Sequence, residues 1–325
     1  MFRLVRFLPP MPRRLPALSF RTVLHSALAC LVLGALPAVA TRAAPSEQQF
    51  ASAYAETAEG VTIHYLHGGQ DSVRPAVVFV PGWTWPASIW TDQMKALADS
   101  RRVVAIDPRS QGESSQAPSG NTPEGRADDL HALLPTFSES PVVLVGWSQG
   151  VQDIAAYIER HGTGRIAGLV LVDSALAAGP ASFTVDPEGT KLLLHRISLY
   201  AHYPSEYLAG MIDASLAQPM SADRKSSLVR ASAKTPTNTG IAMLVSDLLT
   251  ADRRGVVGKI DRPTLIVAAE NSGEIETLRR MARDIPGAQL SVISGAGHAV
   301  FVDQPSRFSQ ELGKFLEALP DAGAR

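Results

Sequence analysis

Hydrophobic residues in this chain alternate between two patterns. Short runs rich in Val, Ile and Leu fall at 75–80, 102–106, 141–145, 166–172, 262–269 and 288–293. Runs of that length, dominated by apolar residues, predict strands buried on both faces of a parallel sheet. Between them lie segments with apolar residues at helical spacing, at 90–98, 123–134, 151–158, 274–283 and 306–319. Strands that alternate with helices predict an α/β fold with both faces of the sheet covered. Two further strands are predicted at 50–56 and 61–66, joined at Glu59-Gly60 as an antiparallel edge ribbon. His64 lies in the second of these strands and His67 just after it, and both are read as surface residues.

The alternation stops between about Gly179 and Gly258. That stretch has no buried Val/Ile run, and its apolar spacing is helical at 192–200, 207–216 and 241–249. It reads as a helical insertion placed over the strand ends. His195 and His202 lie within it and are read as surface residues. No internal repeat or low-complexity tract is present.

The run at 141–145 leads into Gly146-Trp147-Ser148-Gln149-Gly150, and the helical pattern follows at once. A strand that turns straight into a helix at a Ser bracketed by glycines is a nucleophile elbow. It holds Ser148 exposed at the strand end. The helix start behind it supplies unpaired N–H groups and the positive end of a dipole, both suited to a developing oxyanion. A bare G-x-S-x-G is common by chance. Here it has a strand before it, a helix after it, a Gly-bearing strand end upstream at Pro81-Gly82, and a Gly-flanked histidine downstream, His298. His298 follows the last strand, with Gly295 and Gly297 allowing its loop to bend toward the elbow. His161, at the end of the elbow helix, is read as a C-terminal cap favoured by the dipole.

Composition narrows the classes. The 325 residues are 45% hydrophobic and 19% charged, with a formal net charge of -1. That suits one large domain and gives no argument for nucleic acid as a partner. No G-x-x-x-x-G-K-[ST] phosphate loop is present, and no His/Asp/Cys cluster has metal-ligand spacing. The first 44 residues read as a targeting segment. Arg3, Arg6, Arg13, Arg14 and Arg21 form a basic region, an apolar stretch runs over 23–36, and cleavage is expected after Ala40 or Ala44. Met11 is a second candidate start. The single cysteine, Cys30, lies in this leader, so the mature chain has no thiol for a disulfide, a metal or catalysis. The expectation is a periplasmic or secreted protein that meets the membrane only during export.

With these motifs in place, the chain resembles the α/β-hydrolase superfamily over the whole length after the leader. It is most similar in look to the bacterial cofactor-free haloperoxidase/esterase group. The resemblance rests on Pro81-Gly82-Trp83, the stretch 90–94, Asp107-Pro108-Arg109 through Gly112 and Ser114, the elbow, the stretch 157–163, and 295–298. It implies an α/β-hydrolase fold: a mostly parallel eight-stranded sheet, helices on both faces and a helical cap at about 179–258. It also implies hydrolysis through an acyl-enzyme, with neither metal nor organic cofactor.

Two departures stand out. The family usually carries His-Gly where this chain has Pro81-Gly82. After the seventh strand the family pattern is Gly-x-x-Asp, with the Asp as triad acid; here Ser272 holds that position in Ala269-Glu270-Asn271-Ser272. A serine has no charge to stabilise an imidazolium. The triad then reads as Ser148 nucleophile, His298 base and Asp173 acid, because some members take the acid from the strand end after the elbow helix. Glu270 is the rival acid, and Glu274 and Glu276 are weaker candidates on a helix. For the oxyanion hole the resemblance implies the backbone N–H groups of Trp83 and Gln149. Trp83, Trp85 and Trp147 are expected to form an aromatic rim, or else to pack as core beneath the cap.

The expected activity is hydrolysis of a small or medium carboxylic ester, with perhydrolysis as a side reaction. Amides and lactones use the same parts. A protein that has lost catalysis and only binds a small molecule is the competing reading, kept open by Ser272.

Overall fold

The computed structural model describes residues 50–57, 59–176, 187–249 and 252–321. The leader, with Cys30 and its two cleavage sites, lies outside the described residues, as does the expected start of the insertion at Gly179.

Eight strands form one sheet: β1 (Ala51–Glu56), β2 (Thr62–Gly68), β3 (Val77–Val80), β4 (Val103–Ile106), β5 (Val142–Trp147), β6 (Ile166–Val172), β7 (Thr264–Ala269) and β8 (Gln289–Ile293). Their order is β1-β2-β4-β3-β5-β6-β7-β8. β1 pairs with β2, and β2 with β4, antiparallel; every later pairing is parallel. The apolar runs have a direct cause. Alternate side chains point to opposite faces, and both faces are covered. Val78, Val80, Leu144, Leu169, Leu171 and Ile266 enter one core cluster, while Val77, Phe79, Val143, Val145, Val170 and Val267 enter another.

Helices α2 (Pro123–Phe137) and α3 (Gln149–His161) cover the first face. Thr122 caps α2 through a bond from the Gly125 N–H to its hydroxyl, with Pro123 in the first turn. On the other face lie α1 (Thr91–Leu97) and α10 (Pro305–Glu317), with Met94, Phe308 and Leu312 buried against the sheet. Helix α8 (Ile275–Asp284) links β7 and β8, and a short α9 (Val300–Asp303) precedes α10. Among the described residues no helix is long and apolar enough to cross a membrane.

Between β6 and β7 stand four described helices, α4 (Pro187–His202), α5 (Pro204–Ala214), α6 (Ala222–Ser232) and α7 (Thr237–Leu249), followed by a 3-10 turn at Arg254–Lys259. Three of these match the helical spacing read from the sequence. Helix α6 does not, because its exposed face is Arg, Lys and Ser and it buries only Leu228 and Ser232. Its readable signal was Ser221, whose hydroxyl accepts from the Arg224 N–H. The insertion sits on the C-terminal strand ends. Trp83 Nε1 donates to the Gly240 carbonyl, and the Ala299 N–H donates to the Ser215 carbonyl.

The ribbon at the chain start departs from its reading at both of its histidines. β2 is an interior strand between β1 and β4, so His64 is buried. Its Nδ1 donates to Asp107 Oδ2 at 2.7 Å, and Ser52 Oγ lies 2.8 Å from its Nε2. Asp107 Oδ2 also accepts from the Glu113 N–H, and its Oδ1 from the Ala87 N–H, so His64 anchors the loops after β3 and β4. His67 lies within β2 and is half-buried.

Candidate active site

β5 ends at Trp147, and α3 begins at Gln149, so one residue makes the turn. That residue, Ser148, has φ 54° and ψ −117°, a conformation that costs a non-glycine residue roughly 1–3 kcal/mol. The turn closes because α3 starts almost in contact with β3. A β-carbon on Gly150 would lie 2.4 Å from the Val80 carbonyl oxygen. The loop after β3 comes equally close from the other side. A β-carbon on Gly82 would lie 2.9 Å from the Trp147 ring and 3.1 Å from Ser148 Cβ. Trp83 is the next residue of that loop. Gln149 carries its N–H in the first turn of α3, where helical N–H groups have no partner within the helix.

Asp173 follows β6, the strand beside β5, and the Ser148 N–H donates to the Val172 carbonyl. Its φ is 48°, so the chain turns sharply there as well. The carboxylate is 3% exposed and has two partners. Oδ1 accepts from the Ala269 N–H at 2.9 Å, and Oδ2 accepts from His298 Nδ1 at 2.8 Å. A carboxylate only accepts, so His298 Nδ1 carries a proton, and in the neutral imidazole Nε2 keeps its lone pair. The imidazole is 37% exposed and lies against Trp147, with ring centroids 5.2 Å apart. Trp147 Nε1 donates to the His298 carbonyl at 2.9 Å, fixing the histidine loop to the elbow.

Of the candidate acids, the structure brings Asp173 to His298 and leaves Glu270 away from it. Glu270 is exposed, and its backbone N–H continues the β7–β8 pairing to Ile293. The reason is the direction of the chain: β7 is still extended at Ala269, so the next side chain points to solvent. Glu274 lies just before α8 rather than on it, and its Oε2 accepts from the Ala175 N–H at 2.7 Å. Burial raises its carboxyl above the ordinary range, against the pull of that N–H and of His298. Glu276 is exposed and pairs with Arg279.

The aromatic expectation divides. Trp85 and Trp147 are core, 1% and 2% exposed. Trp83 packs instead on Tyr200 of α4 and Tyr207 of α5, with ring centroids 5.0 and 6.3 Å away. His195 and His202 are exposed, as read. His161 is not the cap: Gly162 ends α3, and His161 Nε2 lies 2.8 Å from an Asp128 oxygen, with its ring stacked on His131.

Long-range pairing hid a second group of residues beneath the elbow. Arg126 of α2 donates from Nε to Asp153 of α3 at 2.8 Å, and from Nη2 to both oxygens of Asp247 in α7 at 2.9 and 3.1 Å. All three are buried. Burial pushes the Asp153 carboxyl up to about 7 despite Arg126, and raises Asp247 as well. Asp247 Oδ2 also accepts from the side-chain Nε2 of Gln149.

The model of the Alpha/beta hydrolase family matches residues 77–311. The chain belongs to the α/β-hydrolase family. The matched region runs from β3 into α10, with the elbow, Asp173 and His298. A non-heme chloroperoxidase of Kitasatospora aureofaciens is 29% identical over 272 residues, 80% of this chain and 98% of its own. A bifunctional esterase/perhydrolase of Acinetobacter calcoaceticus is 33% identical over 122 residues, 37% of this chain and 44% of its own. Among solved structures, a bromoperoxidase from Bacillus anthracis superposes with a TM-score of 0.75 at 24% identity, covering 82% of this chain and all of its own. This hydrolase thus shares its fold and family with esterases and non-heme haloperoxidases, as the motifs implied.

Proposed function

We propose that this hydrolase cleaves carboxylic esters of small or medium size through an acyl-Ser148 intermediate. The observation that carries the reading is the 2.8 Å bond from His298 Nδ1 to Asp173 Oδ2, made beside the strained elbow that presents Ser148. Ser148 Oγ attacks the ester carbonyl as His298 Nε2 takes its proton. Asp173 holds the imidazole in the required tautomer and stabilises the imidazolium. The tetrahedral oxyanion is held by the N–H groups of Trp83 and Gln149. The alkoxide leaves with the proton from His298. Water, deprotonated by His298, then attacks the acyl-enzyme and releases the acid and free Ser148. Hydrogen peroxide in place of water gives a peracid from the same intermediate. The similarity to an esterase/perhydrolase and a chloroperoxidase supports this acyl chemistry.

The test is hydrolysis of p-nitrophenyl acetate, with fluorophosphonate labelling, by the wild type and Ser148→Ala. Turnover and labelling in the wild type, both lost in the variant, are expected. Neither in the wild type, across acyl lengths, would leave only a binding protein. The basic and apolar leader supports a periplasmic or secreted location, which cell fractionation of the full chain checks.

A further inference from the structure

Gln149 has two functions that meet in one residue. Its backbone N–H is one of the two assigned to the oxyanion, and its side chain turns the other way, into the protein, where it is 5% exposed. There Nε2 donates to Asp247 Oδ2, and Oε1 faces Gln111 Nε2 of the loop after β4, 3.5 Å away. Asp247 belongs to α7 of the insertion, 98 residues further along the chain. Its carboxylate is fixed in turn by the two bonds from Arg126, whose Nε is held by Asp153, one turn further along α3 from Gln149. Arg126 thus ties α2, α3 and α7 together, and Gln149 joins that tie at the point where α3 meets the substrate.

A neutral amide bonded to a buried carboxylate makes a stronger, more directional contact than an exposed polar pair. It fixes the Gln149 Cα relative to α7. The N–H one bond away takes its direction from that Cα and from the Ser148 turn. Oxyanion donors contribute only when aimed at the place where charge develops. We infer that Asp247 is a positioning residue for the oxyanion hole: through the Gln149 side chain, the insertion sets the aim of the Gln149 N–H. The inference rests on the acyl-Ser148 reading above. It adds that the insertion also tunes the chemical step.

Steady-state kinetics on p-nitrophenyl acetate test it, with Tm measured alongside. The key variant is Gln149→Met, which keeps the backbone N–H and the side-chain length, and leaves the Arg126–Asp247 pair intact. Loss of aim is expected to lower kcat by at least about 10-fold with KM within about 3-fold, because the missing interaction is made in the transition state. Asp247→Ala is expected to match it, and the double variant to be no slower than the slower single one, as coupled residues behave. Asp247→Asn keeps an acceptor for Gln149 Nε2 and is expected to recover most of the kcat lost in Asp247→Ala. A Gln149→Met enzyme with wild-type kcat overturns the inference, as does a fall in KM-dependent terms alone. So does additivity in the double variant, which marks Asp247 as only structural. A wild type with neither turnover nor fluorophosphonate labelling overturns the acyl-Ser148 reading, and the inference with it.

Discussion

At the scale of single residues, the site depends on where one carboxylate stands. Asp173, just past β6, is the carboxylate bonded to His298, and it stands in a left-handed conformation that Asp tolerates better than most residues. Asp173→Asn keeps the shape but reverses the hydrogen-bond preference at His298 Nδ1. It is expected to lower kcat on p-nitrophenyl acetate by about 10⁴-fold, the cost of the wrong imidazole tautomer. Glu270→Gln is expected to change kcat by less than about 3-fold, since an exposed carboxylate distant from the reacting atoms contributes little. The opposite ranking would return the acid to β7. Ser148 and His298 were legible because glycines and strand ends mark them locally. Asp173 was legible only as one of two options, because adjacency of β6 and β7 is a tertiary fact. The links from His64 to Asp107 and from Gln149 to Asp247 were not legible at all. Each joins residues tens of positions apart with no motif between them.

At the scale of elements, the strands were read closely and the helices less evenly. A strand buried on both faces leaves a short, dense apolar run, as at 142–147. A helix on the outside of the insertion needs only a thin apolar edge, so α6 left little trace beyond its Ser221 cap. Close approach of elements is a further point that sequence marks only through small residues. Two glycines make the contrast measurable. Gly150→Ala pushes a methyl into the Val80 carbonyl, where α3 meets β3, and is expected to destabilise by about 2 kcal/mol or more. Gly313→Ala in α10 meets no atom within 4 Å and is expected to stabilise by roughly 0.5–1 kcal/mol through helix propensity. Urea denaturation of both variants measures the signs. A neutral Gly150→Ala would mean that α3 and β3 stand further apart.

At the scale of the whole molecule, the buried Arg126–Asp153–Asp247 group ties stability to pH. An Asp ionises near 3.8 when exposed, whereas burial raises Asp153 to about 7 in the folded chain. Between those values the folded state binds more protons than the unfolded one, so the Asp153 contribution to stability falls as pH rises from about 4 to about 7 and is level above. Asp247, Asp129 and Glu274 are raised in the same direction by burial. Asp153→Asn removes one of these titrating protons. Its Tm, followed by circular dichroism from pH 4 to pH 8, is expected to rise relative to the wild type as pH increases; parallel curves would refute the linkage. The four tryptophans are distributed unevenly over the same molecule. Trp85, Trp90 and Trp147 share the main core, while Trp83 alone enters the small cluster with Tyr200, Leu208 and Met243. Its indole is bonded to Gly240 and boxed by two tyrosines from the helices above it. A chain with the other three replaced by phenylalanine would therefore carry one native fluorophore at the seam, and its emission colour would register water entering when those helices lift.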